Sequence, residues 1–335
     1  MRPPLDLPIP TGWFCVATAA DLAPREVRTI TFMGEERVLF RTASGELGLV
    51  DAYCPHLGAH LGHGGRVEGE TLRCPFHGFR FEARGACAGA YACKAPPKLR
   101  ARSIPVRERH GLVMAWYHPD GRPPTWEIPE LDMNGYCPFL FHRFSLRGHP
   151  QETTENSVDT GHFGVVHGFT DLETLRTDAD GPLLTADYRF RRFVGKGKLG
   201  FASQVLIHVE VRGLGYSLVD VHLPALGLRT RQLVLPTPTE RDRIELHIGI
   251  AAHDAKRLRG VGPLLPECAT GLLARAILSV YKDDVAADFA IWENKRYVER
   301  PVLAKGDGPI LFYRKWAAQF YEAPRTRLAT LSEAS

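Results

Sequence analysis

The sequence predicts an α+β protein of two successive domains, and three observations carry that expectation. From Trp13 to Tyr117 Gly and Pro break the chain into short β-branched or alternating runs, among them Glu26–Phe32, Arg37–Phe40 and Ile104–Arg107, which is the pattern of an all-β domain. The stretch His118–Glu130 then places four prolines in 13 residues, a natural boundary. Beyond it the order becomes a helical candidate, several strand-like runs and a long final helix, which suits an antiparallel sheet wrapped on one face of a helix.

Taken in order, the second half offers a helix over Thr153–Phe169, then strands over Leu199–Val211, Tyr216–Leu223, Thr230–Leu235 and Arg243–Ala251. It closes with one amphipathic helix from Gly271 to Tyr297, whose apolar stripe runs through Leu273, Ile277, Val280, Tyr281, Ile291 and Trp292. The length of 335 residues leaves room for two cores and excludes a disulfide-stapled mini-protein. With 44% hydrophobic and 24% charged residues the composition is that of a globular protein. A formal charge of +4, from 42 Lys+Arg against 38 Asp+Glu, is too small and too dispersed for phosphate-driven nucleic-acid binding. The apolar runs Gly111–Tyr117 and Gly271–Tyr281 are too short to span a membrane, Arg275 interrupts the second, and the N-terminus has no apolar signal core. A cytoplasmic protein is the expectation. There the odd count of seven cysteines suggests thiols and metal ligands before disulfides. Cys87 and Cys93 read as free thiols, and Cys15, Cys137 and Cys268 as packing residues.

Fourteen histidines are the more unusual count, and four of them fall into two constellations. Cys54-x-His56 is followed after 17 residues by Cys74-x-x-His77, each pair on a short loop shaped by Gly58, Pro75 and Gly78. Two thiolates and two imidazoles suit tetrahedral zinc or a [2Fe-2S] centre with two His on one iron. A zinc finger keeps its cysteines together and its histidines together, whereas each loop here supplies one of each. This interleaving resembles the Rieske cluster motif. The resemblance implies that Cys54 and Cys74 hold one iron and His56 and His77 the other. Respiratory Rieske proteins add a disulfide between the loops, and this chain has Ala59 and Phe76 at those places, so it resembles the oxygenase and ferredoxin branch. His60 and His63 lie outside the motif and read as loop histidines.

The second constellation lies in Glu155–Gly168, where His162 and His167 are five apart. On a regular helix that spacing turns them about 140° from each other, so a bend is expected near Gly161, Gly164 and Gly168. Two imidazoles and one carboxylate with open positions form the facial triad of non-haem Fe(II). The acid has to come from far along the chain. Asp288 falls on the apolar stripe of the last helix, where an unpaired carboxylate is costly, with Asp284 one turn earlier as its rival and Asp283 rotated away. The segment Asn156-x-x-Asp159-x-x-His162-x₄-His167 is similar to the catalytic motif of Rieske non-haem iron oxygenases, and Asp288-Phe-Ala-Ile-Trp resembles their acid segment, which favours Asp288.

That resemblance implies a Rieske [2Fe-2S] domain over 10–125 and a helix-grip, START-like catalytic domain over 126–330. It implies that Asp159 links an iron histidine to His77 of a neighbouring subunit in a homotrimer, and that Asn156 supports the iron pocket. Electrons would come ultimately from NAD(P)H through a separate ferredoxin or reductase, since neither Gly62-His-Gly-Gly nor Gly195-Lys-Gly matches a nucleotide fingerprint. The run Arg189, Arg191, Arg192, Lys196, Lys198 reads first as a solvated strand face and turn, and second as a docking site for an acidic donor. Along CPHLGAHLGHGGRV, CPFHGFRF, ENSVDTGHFGVVH and DFAIWENKRYVERPVLAKGDGPILFYRKWAAQFY the chain resembles the steroid-handling branch, that of cholesterol 7-desaturases of the Neverland type and 3-ketosteroid 9α-hydroxylases, without the N-terminal anchor of the animal enzymes. The implied reaction is O₂-dependent desaturation or hydroxylation of a sterol or steroid, desaturation being preferred. Another hydrophobic or aromatic substrate, an electron-transfer protein using the cluster alone, and a simple carrier of an apolar ligand are the alternatives.

Overall fold

The computed structural model describes residues 7–90, 96, 98–194 and 200–321. Ten strands make up the first part: β1 Gly12–Thr18, β2 Val27–Phe32, β3 Glu35–Arg41, β4 Leu47–Asp51, β5 Arg66–Glu68, β6 Thr71–Arg73, β7 Arg80–Glu82, β8 Cys87–Gly89, β9 Val106–Arg109 and β10 Leu112–Tyr117. They pair into three small antiparallel sheets ordered β1-β10-β9, β2-β3-β4 and β5-β6-β7-β8. The β2–β3 hairpin turns through Met33 and Gly34, both at positive φ (56° and 83°), the backbone that a two-residue turn needs to match the strand twist.

The second part holds β11 Leu140–Arg147, the helices α1 Pro150–Glu155 and α2 Thr160–His167, then β12 Thr170–Asp180, β13 Leu183–Val194, β14 Phe201–Arg212, β15 Tyr216–Leu223, β16 Leu228–Glu240 and β17 Arg243–Ala252. The helices α3 Ala269–Ala286, α4 Phe289–Trp292 and α5 Ile310–Ala317 complete it. All seven strands form one antiparallel sheet, β11-β17-β16-β15-β14-β13-β12. The α+β class and the antiparallel sheet are as expected, but β11, β12 and β13 lie outside the four strand runs the sequence marked. β12 reads TDLETLRTDAD, is mostly exposed and sits at the sheet edge, so it carries no apolar alternation to reveal it.

Alternation along the central strands gives the sheet two apolar faces. Tyr216 and Leu218 of β15 and Leu233 and Leu235 of β16 pack against Trp13, Met114 and Trp116 of the first part, so one core is shared by both. Between them Ser217, Val219, Val221, Gln232 and Val234 face the opposite side, beneath α2 and α3. β16 extends past the expected Leu235 through Pro236 and Pro238. Their missing N–H groups cost nothing there, because pairing with β15 has ended at Ser217↔Val234. The β2–β3 turn also docks on this overhang, Met33 and Gly34 donating their N–H groups to Pro238 and Thr239 at 3.0 and 2.7 Å.

Two helix expectations are corrected. Thr153–Phe169 is two helices, not one, because Asp159 leaves helical geometry (φ −75°, ψ 91°) and caps α2. The final helix does not run to Tyr297. It ends at Ala286, where Ala287 still bonds back four residues to Asp283 O but Asp288 N–H reaches only three, to Val285 O. The stripe is broken with it: Tyr281 and Trp292 are buried, but Val280 is 55% and Ile291 46% exposed.

α1 is polar in sequence yet buried along its whole length. The segment after α4 pairs with it: Arg314 forks onto Glu155 at 2.7 and 3.0 Å, Lys295 pairs with Glu152, and Tyr313 donates to Gln151 O at 2.9 Å. Arginine–carboxylate forks of this kind fix direction as well as distance, so α1 and the α2 that follows are held from the C-terminal end of the chain.

Candidate metal centres

The two loops carrying Cys54/His56 and Cys74/His77 are backbone copies of each other. In the first, Cys54 N–H donates to Ala59 O (2.8 Å) and Gly58 N–H to Cys54 O (2.9 Å); in the second, Cys74 N–H donates to Phe79 O (2.8 Å) and Gly78 N–H to Cys74 O (3.2 Å). Gly58 and Gly78 close the turns at φ 75° and 70°, the left-handed region where glycine is the default. Both cysteines are buried, and the His56 and His77 rings lie 4.8 Å apart at 83°, with His77 at the surface beside exposed Phe76. Burial pushes the Cys54 thiol up to about 11, although the N–H groups of His56 and Leu57 both point at its sulfur. Two buried sulfurs, one with amides already aimed at it, and two facing imidazoles are a donor set suited to a [2Fe-2S] cluster held between the loops. His60 does something else: its Nδ1 accepts the Gly62 N–H at 3.0 Å and fixes the loop.

At the second constellation, one ring nitrogen each of His162 and His167 and a carboxylate oxygen of Asp288 lie within 4.8 Å of one another. The two rings are 5.2 Å apart although α2 is unbroken between them, so the expected bend is absent there; the chain turns at Asp159 and at Gly168 (φ 67°) instead. His162 leaves from the first turn and His167 from the last residue, and the reach of the rings brings them together. His162 Nδ1 is buried and faces Asp159 at 3.7 Å, which leaves the other ring nitrogen for a metal. Asp288 is 6% exposed, and its only ion pair among the described residues is with His167 (3.5 Å). Two imidazoles converging on a buried carboxylate that has no Lys or Arg beside it among the described residues are what remain when a divalent cation is left out, so this donor set fits the facial triad.

The rival acid is used elsewhere. Asp284 accepts from Arg192 at 2.5 Å, and Asp283 is exposed. Asp159 caps α2 by accepting the His162 N–H at 3.3 Å and lies 3.7 Å from His162 Nδ1. Burial raises its carboxyl, but the His162 ring and amide outweigh that and leave it below the usual carboxylate range. Asn156 Oδ1 accepts from Trp292 at 3.5 Å, tying the end of α1 to α4.

The basic run of β13 is not one face. Arg189 pairs outward with Glu173, whereas Arg192 follows Tyr188 and Phe190 inward and stacks over Phe169 at 5.4 Å. Lys196, Lys198 and Cys93 lie outside the described residues. The sequence reading missed Arg192 as a site residue, although the strand's own alternation places it on the inner face. Cys268, expected to pack, is exposed, because it precedes α3 at the surface.

The metal triad opens into a cavity of 660 Å³ between the sheet and α3, walled by Val205, Ile207, Val219 and Val221 and by the Phe169–Phe190 stack at 4.2 Å. It is of the size and apolar character that takes a small hydrophobic molecule. No helix among the described residues is long and apolar enough to cross a membrane.

Known proteins resemble both parts of the chain. The model of the Rieske [2Fe-2S] domain matches residues 12–105, and that of the 3-ketosteroid 9alpha-hydroxylase C-terminal domain residues 115–321. The chain is 30% identical to cholesterol 7-desaturase nvd 1 of Ciona intestinalis, over 98% of this chain and 72% of that protein. It is 32% identical to cholesterol 7-desaturase nvd of Bombyx mori (94% and 70%) and 27% identical to a 3-ketosteroid-9-alpha-monooxygenase oxygenase component of Rhodococcus rhodochrous (92% and 82%). Among solved structures, dicamba monooxygenase bound to dicamba superposes with a TM-score of 0.70 at 19% identity, covering 92% of this chain and 96% of that one, and so shares the fold. Two domain matches that follow each other along the chain, with a [2Fe-2S] donor set in the first and an iron donor set in the second, identify the chain as a member of the Rieske non-haem iron oxygenases that carry the 3-ketosteroid 9α-hydroxylase C-terminal domain.

Proposed function

We propose that this chain is a terminal oxygenase acting on a sterol or steroid, with Cys54, His56, Cys74 and His77 holding the cluster, His162, His167 and Asp288 holding the iron, and the division between the two parts falling near residue 125. The observation that carries the reading is the apolar cavity opening on the His162–His167–Asp288 triad. When bound, the cluster relays single electrons and the ferrous ion activates O₂. The chain's own residues do the rest. Val205, Ile207, Val219 and Val221 bind and desolvate an apolar skeleton, and the Phe169–Phe190 stack presses it towards the triad. Asp288 supplies the negative charge that offsets the metal, and Asn156 with Trp292 steadies the end of α1, from which the chain runs into α2 and His162. Asp159, already aligned to His162, orients that ring and offers a carboxylate to His77 of a neighbouring subunit in a trimer.

Desaturation is preferred over hydroxylation, since 7-desaturases match at 28–32% identity and 9α-monooxygenase components at 27–29%. It consumes O₂, two electrons and two protons while removing two hydrogens from the substrate, and yields two waters. The electrons come from NAD(P)H through a separate reductase or ferredoxin, in keeping with the description of the Rhodococcus relative as an oxygenase component. We place the reaction in the cytoplasm. Turnover with a surrogate reductase on cholesterol, 3-ketosteroids and simple aromatics tests the reading. Product from the steroids is expected, and product from the aromatics alone would overturn it.

A further inference from the structure

In a cavity walled mainly by valine, leucine and phenylalanine, the hydroxyls of Thr230 and Ser217 are exceptions. Both residues line the cavity, at 2% and 3% exposure, and neither hydroxyl has a hydrogen-bond partner among the described residues. Buried hydroxyls are nearly always satisfied, so each marks a place where something else supplies the partner.

The two stand at different ends. Ser217 pairs with Val234, which packs with Tyr281 and Val285 close to Asp288. Thr230 pairs with Val221 on one side and Ala252 on the other. The chain just past Ala252 is tied by Ala255 N–H to Thr270 Oγ1, at the beginning of α3, whereas Asp288 follows that helix's end. Across the sheet, Thr230 shares a row with Val221, Ile207 and Tyr188, and Phe163 of α2 packs on Tyr188 at 5.6 Å. Thr230 is therefore three strand spacings, about 14 Å along the sheet, from the strand that carries α2 and its histidines. Gln232 follows on the same face of β16 and also lines the cavity.

We propose that Thr230, with Gln232 beside it, is the polar anchor that fixes the orientation of the substrate: an elongated apolar molecule with a hydroxyl or ketone oxygen at the end remote from the carbon that is oxidised. A threonine hydroxyl both donates and accepts, so either oxygen satisfies it, and a skeleton lacking the oxygen leaves it orphaned. The anchor thus sets which carbon reaches the triad, and Thr230 is a positioning residue. The inference rests on the steroid reading above.

The test measures equilibrium binding, without O₂ or reductant, of cholesterol, 4-cholesten-3-one and cholest-5-ene to the intact protein and to T230V, T230S and S217A, with the cluster absorption spectrum and melting curve as folding controls. The unsubstituted protein is expected to bind the two oxygenated sterols about three- to tenfold more tightly than cholest-5-ene, the range for one hydrogen bond. T230V should remove that preference, while T230S and S217A retain it. If the preference survives in T230V, disappears in S217A, or is absent from the unsubstituted protein although all three sterols bind, the anchor is overturned and the steroid reading stands. If none of the three binds, the steroid reading fails and the anchor with it.

Discussion

The carboxylate of Asp288 lies 3.5 Å from Nε2 of His167, while Asp284, one turn earlier, is held by Arg192 at 2.5 Å. Two acids that the sequence leaves as rivals are thus separated by their partners. Asp288→Ala and His167→Ala are expected to lose the mononuclear iron and turnover together while keeping the cluster's visible absorption. Asp284→Asn should retain both metals, because its carboxylate answers a guanidinium. Iron analysis per chain beside the cluster spectrum decides, and loss of the mononuclear iron from Asp284→Asn with retention in Asp288→Ala would reverse the assignment.

Asp159 combines a cap with a charge. Asn at the same place is an equally good helix cap, so Asp159→Asn should leave α2 and the iron in position. The lost charge is expected to slow substrate-coupled oxidation of the reduced cluster by about 10- to 100-fold, the usual range for a group that orients a metal ligand. Stopped-flow oxidation of the pre-reduced protein with substrate and O₂ checks this, and an unchanged rate at full iron content would remove Asp159 from the electron path.

The cluster loops were legible in the sequence because everything that builds each of them is local: a Cys, a His and a left-handed Gly within a few residues. The His162–His167 pair was legible for the same reason, and Asp288 through its resemblance to the acid segment. What was not legible depended on partners distant in sequence. α1, PQETTE, has no apolar face, and its burial follows only from Arg314, Lys295 and Tyr313 arriving from the far end of the chain. Arg192 looked like part of a solvated basic run because charge outweighed the alternation that turns it inward.

Buried histidines set a pH dependence. His149 Nδ1 accepts the Gln151 N–H at 3.1 Å and its Nε2 donates to Pro8 O at 3.2 Å, so the ring is held neutral at the start of α1. Burial lowers it from the ordinary 6.5 to about 4, and burial with Arg143 nearby does the same to His247. Between those values the unfolded chain takes up a proton that the folded chain refuses. Stability is therefore full above pH 6.5 and falls as the pH drops towards 4, by up to about 3 kcal/mol for each histidine. His149→Asn keeps a cap and does not titrate, so the loss between pH 7.5 and 5 should be smaller in that variant. Urea unfolding at the two pH values measures it, and an equal loss in both proteins would contradict the assignment.

Two glycines near α2 separate backbone strain from steric contact. Gly306 and Gly308 both have positive φ, 108° and 81°, but among the described residues a Cβ on Gly306 meets nothing within 4 Å, whereas one on Gly308 falls 2.0 Å from Val158 O and 3.0 Å from Thr160 N. Those two atoms flank Asp159, so anything that enters there displaces the cap of α2 and the ring of His162. Gly306→Ala should cost only the left-handed backbone, about 1 kcal/mol, and keep the iron. Gly308→Ala should cost about 2 kcal/mol or more, since backbone atoms cannot swing aside as a side chain does, and should lower iron occupancy while the cluster stays intact. Melting curves and iron content of the two variants side by side test this. Equal stability and equal iron in both would mean that the segment through Gly308 does not hold α2 in place.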